Sequence, residues 1–338
     1  MIMMIVVGIE VGKTSCEKES KGQNVTKATE REFQNKGIYF AHFSKTGGTT
    51  FKLVLKQYLQ TLNKTWCENK LTEADPTLPK AGQMCGAHAW QDQQLPRELE
   101  ENDSILQLPY SSVLMVRDPI ERLLSEYAWF YIYQGHRGAP QGLTHPFFSF
   151  HTADAAAKLK ILQETETNLI DQVTKGSSST LCVFLGRSRH SPDQGPCTQA
   201  EYERAVLRLQ RYDLVLINEQ FDSSLVLFAY WFNLPGLPSI LNRSGPFHYI
   251  KHKVISNKIS VADLTPSTVQ SLRALLHFDY LLYALASDRF LSDLSLISTL
   301  HSPSFSLVLD SFLSHQLTFA HLCEDDSTAH FKTCLDSH

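Results

Sequence analysis

The 338-residue chain has no stretch approaching the ~20 consecutive apolar residues that cross a bilayer as a helix. It has no excess of positive charge either. Its 31 Lys and Arg stand against 35 Asp and Glu, a formal charge of −4, which excludes a broad basic footprint for nucleic acid. Seven cysteines include no C-x-x-C pair, so zinc-ribbon and thioredoxin-type readings lack their spacing. No internal repeat is visible. What remains is an ordinary globular balance, 43% apolar and 20% charged, which excludes wholesale disorder, collagen and coiled coil as the main architecture. The length suggests one large domain or two modest ones.

Four N-x-[ST] sequons, at Asn24, Asn63, Asn102 and Asn242, accompany the spaced cysteines. Together they lean towards a secretory lumen, where asparagines are glycosylated and disulfides persist. Cys182 pairing with Cys197 across the intervening loop is the first expected bridge, Cys67 with Cys85 the second, and Cys323 with Cys334 a small terminal loop. Met1 to Ile9 is apolar but short, lacks a basic leading segment and runs into Glu10. It reads as the remnant of a signal anchor or an incomplete start, an unimportant tail being the alternative. Residues 10–36 are polar and rich in Lys and Glu, the texture of a stem. The expected organisation is an anchor remnant or stem over 1–36, a main domain over 37–290 and a Ser-, Leu- and His-rich appendage over 291–338.

Within the main domain three strand signals recur. Ile38 to Phe43 is a β-prone run that stops at Ser44-Lys45-Thr46-Gly47-Gly48-Thr49-Thr50, after which Phe51, Val54, Leu55, Tyr58, Leu59 and Leu62 fall at helical spacing. Ser112 to Val116 is a second short strand, followed by Arg117, Asp118 as a helix N-cap and Pro119 at the first helical position. That helix is expected to run through Leu123, Leu124, Tyr127 and Phe130 or Tyr131. Leu214 to Ile217 is a third strand, with a helix from about Asp222 to Phe232, and Thr265-Pro266 opens another. Residues 134–152, rich in Gly, Pro and His, read as a surface loop. Strands alternating with helices predict an α/β, three-layer domain around a central, mostly parallel sheet.

The glycine turn is the sharpest chemical signal. A turn that leaves a strand and opens a helix aims backbone N–H groups at one spot, where the helix dipole favours an anion. Gly47 and Gly48 permit close approach, Thr49 and Thr50 add hydroxyls, and Lys45 adds charge. The spacing is not that of a Walker A loop, because Lys45 precedes the glycines. Gly8 to Thr14 comes nearer but is one residue short between its glycines, a coincidence. The competing account of the turn is purely structural, with a solvated lysine.

His42 to Phe51 resembles the 5′-phosphosulfate loop of Golgi carbohydrate sulfotransferases, most closely that of the heparan sulfate 6-O-sulfotransferases. Three further blocks follow in that family's order. Cys85-Gly86-Ala87-His88-Ala89-Trp90 resembles the segment with the catalytic histidine. Val116-Arg117-Asp118-Pro119-Ile120-Glu121-Arg122-Leu123-Leu124-Ser125-Glu126-Tyr127 resembles the 3′-phosphate motif. Asn218-Glu219-Gln220-Phe221 resembles a later strand and helix. The likeness covers roughly residues 37–290 and implies a P-loop-like sulfotransferase fold.

The resemblance implies 3′-phosphoadenosine-5′-phosphosulfate (PAPS) as donor, no metal and a carbohydrate acceptor in a heparan-like glycosaminoglycan. It also implies a type II membrane protein of the Golgi lumen. Ser44 to Thr50, Arg117 and Ser125 would hold the donor, with Asn242, Arg243 and Ser244 from a loop that closes over the nucleotide or is simply a glycosylated turn. The same likeness makes His88 the general base and Lys45 the group that neutralises the leaving phosphate; a neutral imidazole has the pKa that task needs. Trp90 and Trp129 are the acceptor-side candidates, each with a packing role as alternative. Trp129 stands where the 6-O enzymes carry an acceptor-contacting histidine, and the cysteine-rich insert before the histidine block is much reduced. The competing functions are a nucleotide-dependent kinase, for which matched Mg²⁺ ligands and a kinase glycine loop are lacking, and a sugar-binding relative without turnover.

Overall fold

The computed structural model describes residues 37–43, 48–61, 66–69, 84–89, 110–129, 146–175, 180–187, 195–234, 259–301, 305 and 307–310. Five strands, β1 (Gly37–Phe43), β2 (Trp66–Asn69), β3 (Met84–Ala89), β4 (Tyr110–Val116) and β5 (Leu214–Ile217), form one sheet in the order β2-β3-β1-β4-β5. All four pairings are parallel. The helices are α1 (Gly48–Thr61), α2 (Pro119–Glu126), α3 (Ala155–Thr174), α4 (Leu181–Gly186), α5 (Gln199–Arg211), α6 (Phe221–Trp231), α7 (Pro266–Leu275) and α8 (His277–His301). The expected α/β class with a parallel sheet is what the chain forms.

The runs Ile38–Ala41, Val113–Val116 and Leu214–Ile217 are apolar without alternation because both faces of the sheet are covered there. Ile38 to Ala41 of β1, Val113 to Val116 of β4 and all of β5 are buried. Phe51 of α1 stacks on Phe40 of β1 with ring centroids 4.7 Å apart, and meets Phe228 of α6 edge-on at 5.1 Å. α4, α5, α6 and α8 complete this sheet core through Leu185, Leu209, Val226 and Phe290.

A second apolar cluster is almost entirely helical. Ile120, Leu123, Leu124 and Tyr127 of the α2 segment meet Phe147 and Phe150, Leu169 and Val173 of α3, and Leu272 of α7. Residues 146–152 are therefore no surface loop. They form a 3₁₀ turn whose Phe147 and Phe150, three apart and so on one face, are both buried.

Asp118 caps α2 as its sequence predicts, its Oδ1 accepting the N–H groups of Ile120 and Glu121 at 3.0 Å. α2 ends at Glu126 and widens into a π turn over 127–129, taking in Leu123, Leu124 and Tyr127 as expected; Phe130 and Tyr131 lie outside the described residues.

The Cys182–Cys197 bridge is present, with Cα atoms 6.0 Å apart. It joins α4 to the segment before α5, where Arg187 also pairs with Glu201 at 2.6 Å. For the second bridge, backbone register sets Cys67 opposite Cys85 on β2 and β3, and their side chains lie outside the described ones. Cys323 and Cys334 lie wholly outside.

α8 passes unbroken through residues 290 and 291, and Ile297 and Phe305 are buried in the sheet core. The helix continues there because Phe290 and Ile297, two turns apart, present the same face to the sheet.

Candidate functional site

The order β2-β3-β1-β4-β5 creates a switch point. From β1 the chain moves to β2 on one side, whereas from β4 it moves to β5 on the other. Open parallel sheets bind ligands in the crevice this leaves beyond the strands' carboxyl ends. Two segments flank it here, the one leaving β1 and the one leaving β4.

On the β1 side, Gly48, Thr49 and Thr50 form the first turn of α1, a 14-residue helix whose leading N–H groups have no intrahelical acceptor. Ser44, Lys45, Thr46 and Gly47 lie outside the described residues, as do the side chains of Thr49 and Thr50. His88 stands on β3 in register with His42 of β1, near the carboxyl ends of both strands, and its side chain is outside the description. Trp90, Asn242, Arg243 and Ser244 are outside it altogether.

On the β4 side the described residues run without a break from Tyr110 to Trp129. Arg117 is the first residue beyond β4, its side chain 17% exposed. Its Nη2 donates to Glu121 Oε2 at 3.1 Å, and its Nε lies 3.7 Å from Glu219 Oε1, an ion-pair distance. Glu121 and Ser125 are one turn apart on α2 and share a face that is neither fully buried nor fully exposed. The helix thus presents Ser125 on the side to which Arg117 folds back. Trp129, at the end of the π turn, is 37% exposed.

Arg122 shows how differently a second arginine of the same segment is used. Its side chain is 3% exposed and its Nη1 donates to Glu126 Oε2 at 2.8 Å, both charges being buried. Beside it Asp279 of α8 accepts the Cys182 N–H at 3.0 Å. Burial pushes the Asp279 carboxyl up to about 6, against the opposing pull of that N–H and of the Arg122 charge. Arg117, Arg122, Asp279 and Leu181 line one small cleft beneath the end of β4.

Three groups at this site carried no assignment from sequence: Glu121, Glu219 and Tyr283. Glu219 accepts the Asp118 N–H through Oε1 at 3.1 Å and the Tyr283 hydroxyl through Oε2 at 3.0 Å. Burial raises its carboxyl, and the same burial, with the nearby Glu219 and Asp118 charges, raises the Tyr283 phenol. The one available signal was position, since Glu219 follows the third strand run as Arg117 follows the second.

A guanidinium at a strand's carboxyl end, beside a capped helix and across from a second helix start, is suited to an anion with two separated phosphate groups. Residues 33–142 match the model of the sulfotransferase family. The match covers about a third of the chain, from just before β1 past the end of α2, and so takes in both flanks of the crevice. It supports sulfuryl transfer as the general class of activity, and the family's usual donor is PAPS. No curated protein and no solved structure matches the chain.

Proposed function

We propose that the protein is a PAPS-dependent carbohydrate sulfotransferase of P-loop-like fold, acting on the 6-hydroxyl of a glucosamine-type residue in a heparan-like glycosaminoglycan. The observation that carries the donor half is Arg117, held beyond β4 at the switch point, within the segment that matches the sulfotransferase family. The acceptor half rests on the resemblance of the His88 and Arg117 blocks to the 6-O enzymes.

When bound, PAPS supplies an activated sulfuryl group. Arg117, with Ser125 on the side of α2 to which it folds back, holds the 3′-phosphate as a charged fork and a hydroxyl donor. The α1 N-terminus, with Ser44 to Thr50, holds the 5′ side through backbone N–H groups, and Asn242, Arg243 and Ser244 close over the nucleotide. His88 takes the proton from the acceptor hydroxyl as its oxygen attacks sulfur, and Lys45 offsets the charge that develops on the leaving phosphate. Trp90 and Trp129 meet the sugar; an exposed indole offers an apolar face for stacking.

The proposed setting is the Golgi lumen, with membrane attachment through the N-terminal segment and glycans on the sequons at Asn24, Asn63 and Asn102. The Cys182–Cys197 bridge supports an oxidising compartment. No helix among the described residues is long and apolar enough to cross a membrane.

Calorimetry with adenosine 3′,5′-bisphosphate tests the donor site. Arg117→Ala is expected to lose about 1.5–3 kcal/mol of binding, the size of a charge-assisted contact. Unchanged affinity in a folded variant would sink the assignment. Incubation with labelled PAPS and a heparan-like polysaccharide, followed by disaccharide analysis, tests the acceptor. Sulfate confined to 2-O or 4-O positions would refute the 6-O reading, and His88→Ala should cut turnover by ~10²–10⁴-fold while leaving nucleotide binding intact.

A further inference from the structure

We propose that Glu219 is a positioning residue that holds Arg117 in its phosphate-binding orientation, and that Tyr283 in turn fixes Glu219. The inference rests on the donor reading above and adds to it a residue that touches no ligand itself. Strand pairing makes the contact possible. β4 and β5 are parallel and register Val116 with Ile217, so the residues leaving the two strands, Arg117-Asp118 and Asn218-Glu219, emerge side by side.

Both oxygens of the Glu219 carboxylate are engaged by different parts of the fold. Oε1 accepts the Asp118 N–H at 3.1 Å and lies 3.7 Å from Arg117 Nε; Oε2 accepts the Tyr283 hydroxyl at 3.0 Å. Asp118 is the N-cap of α2 and Tyr283 belongs to α8. The carboxylate is therefore fixed from two elements before it meets the guanidinium. Arg117 then meets Glu219 as an ion pair, its Nε 3.7 Å from Oε1 and so beyond hydrogen-bond range, while its Nη2 donates to Glu121 at 3.1 Å.

An arginine carries much rotamer freedom, and ordering it on binding costs affinity. Holding it in place beforehand removes that cost from the binding step. A carboxylate merely near the site would act the opposite way, by repelling the phosphate. The two roles therefore differ in sign: deleting a positioning group weakens phosphate binding, whereas deleting a repelling group strengthens it.

The experiment compares two nucleotides by calorimetry, adenosine 3′,5′-bisphosphate and adenosine 5′-phosphate, on the full chain. Glu219→Ala is expected to weaken the bisphosphate about tenfold and the 5′-phosphate less than twofold. Glu219→Gln keeps an amide oxygen for the Asp118 N–H but has no charge for the guanidinium, so it should restore only part of the loss. Tyr283→Phe, which removes only the hydroxyl on Oε2, should show the same selectivity at about threefold. Adding Glu219→Ala to Arg117→Ala should cost nothing further, because the residue acts through the arginine. Equal weakening of both nucleotides, or tighter bisphosphate binding, would overturn the proposal, as would Tyr283→Phe with neither effect if Glu219→Ala does not fold. Should Arg117→Ala itself fail to distinguish the nucleotides, the donor reading falls and this one with it. A selective loss for Arg117→Ala with none for Glu219→Ala overturns the positioning role alone.

Discussion

The sheet core and the helical cluster are both tightly buried, yet they contribute different things to the candidate site. The sheet core brings together the ends of strands far apart in sequence, and so sets where Arg117, His88 and the start of α1 stand. The helical cluster fixes the orientation of one short helix, α2. That helix turns Ile120, Leu123, Leu124 and Tyr127 to the cluster, Arg122 to the cleft beside α4 and α8, and Glu121 with Ser125 to the site. One region supplies position, the other aim. Eight residues of α2 alone would not hold a helix in water, so its order is borrowed from its neighbours.

Cutting into each region should separate the two contributions. Phe51 has its ring against Phe40, Phe221 and Phe228, at the centre of the sheet core. Phe51→Ala is expected to cost about 3–5 kcal/mol and to lower protection from hydrogen exchange across the whole molecule. Leu169 is equally buried, but in the helical cluster. Leu169→Ala should cost about 2–5 kcal/mol, with exchange rising first in α3, α7 and α2 while β1 and β4 keep their protection. A uniform rise for both variants would show that the two clusters unfold as one unit.

The two regions also differed in how far the sequence disclosed them. β1, β4 and β5 were legible because strands covered on both faces are continuous apolar runs, and Asp118-Pro119 and Thr265-Pro266 announced α2 and α7 through side-chain caps. α3 was not legible, for a specific reason. Its buried stripe is Ile161, Thr165, Leu169, Gln172 and Val173, and two of those five are polar, so an apolar period never emerges. α5 buries Glu201, which pairs with Arg187 and completes a capping box with Thr198; the box was its signal, and the buried glutamate hid its face. At the candidate site, Arg117 and Ser125 belong to a motif the sequence displays, whereas Glu219 reaches Arg117 and Asp118 across the strand register and Tyr283 reaches Glu219 from α8, relations that spacing along the chain does not carry.

Asp279 joins the regions electrostatically and makes their packing dependent on pH. Burial raises its carboxyl from the ordinary range to about 6, so the folded protein holds a proton that the unfolded chain releases at lower pH. The sign follows directly. The protonated form is favoured by folding, so this group's contribution is fully present below about pH 4 and is lost as pH rises through about 6. The loss is about 3 kcal/mol over that window. Asp279→Asn, which cannot ionise, should lack this component, and its stability relative to wild type should rise between pH 4 and 6. Denaturant midpoints of the two proteins that run parallel across that range would refute the assignment.

The smallest expected effect tests the tie between α2 and its support most directly. Tyr127 is buried at the end of α2, its ring edge-on to Phe147 at 5.7 Å, and its hydroxyl accepts a hydrogen bond from Asn168 Nδ2 of α3 at 3.2 Å. Tyr127→Phe leaves the ring packing and removes the hydroxyl that accepts from Asn168, so it should cost about 0.5–1.5 kcal/mol. The stability change alone would not separate a local role from a supporting one. Bisphosphate affinity does, because α2 carries Glu121 and Ser125 on its other side, and a helix less firmly held presents them less well. A twofold to threefold weakening alongside the small stability loss is expected. If stability falls and affinity does not move, the aim of α2 is set by the Arg122–Glu126 pair and the Asp118 cap, and the helical cluster contributes stability alone.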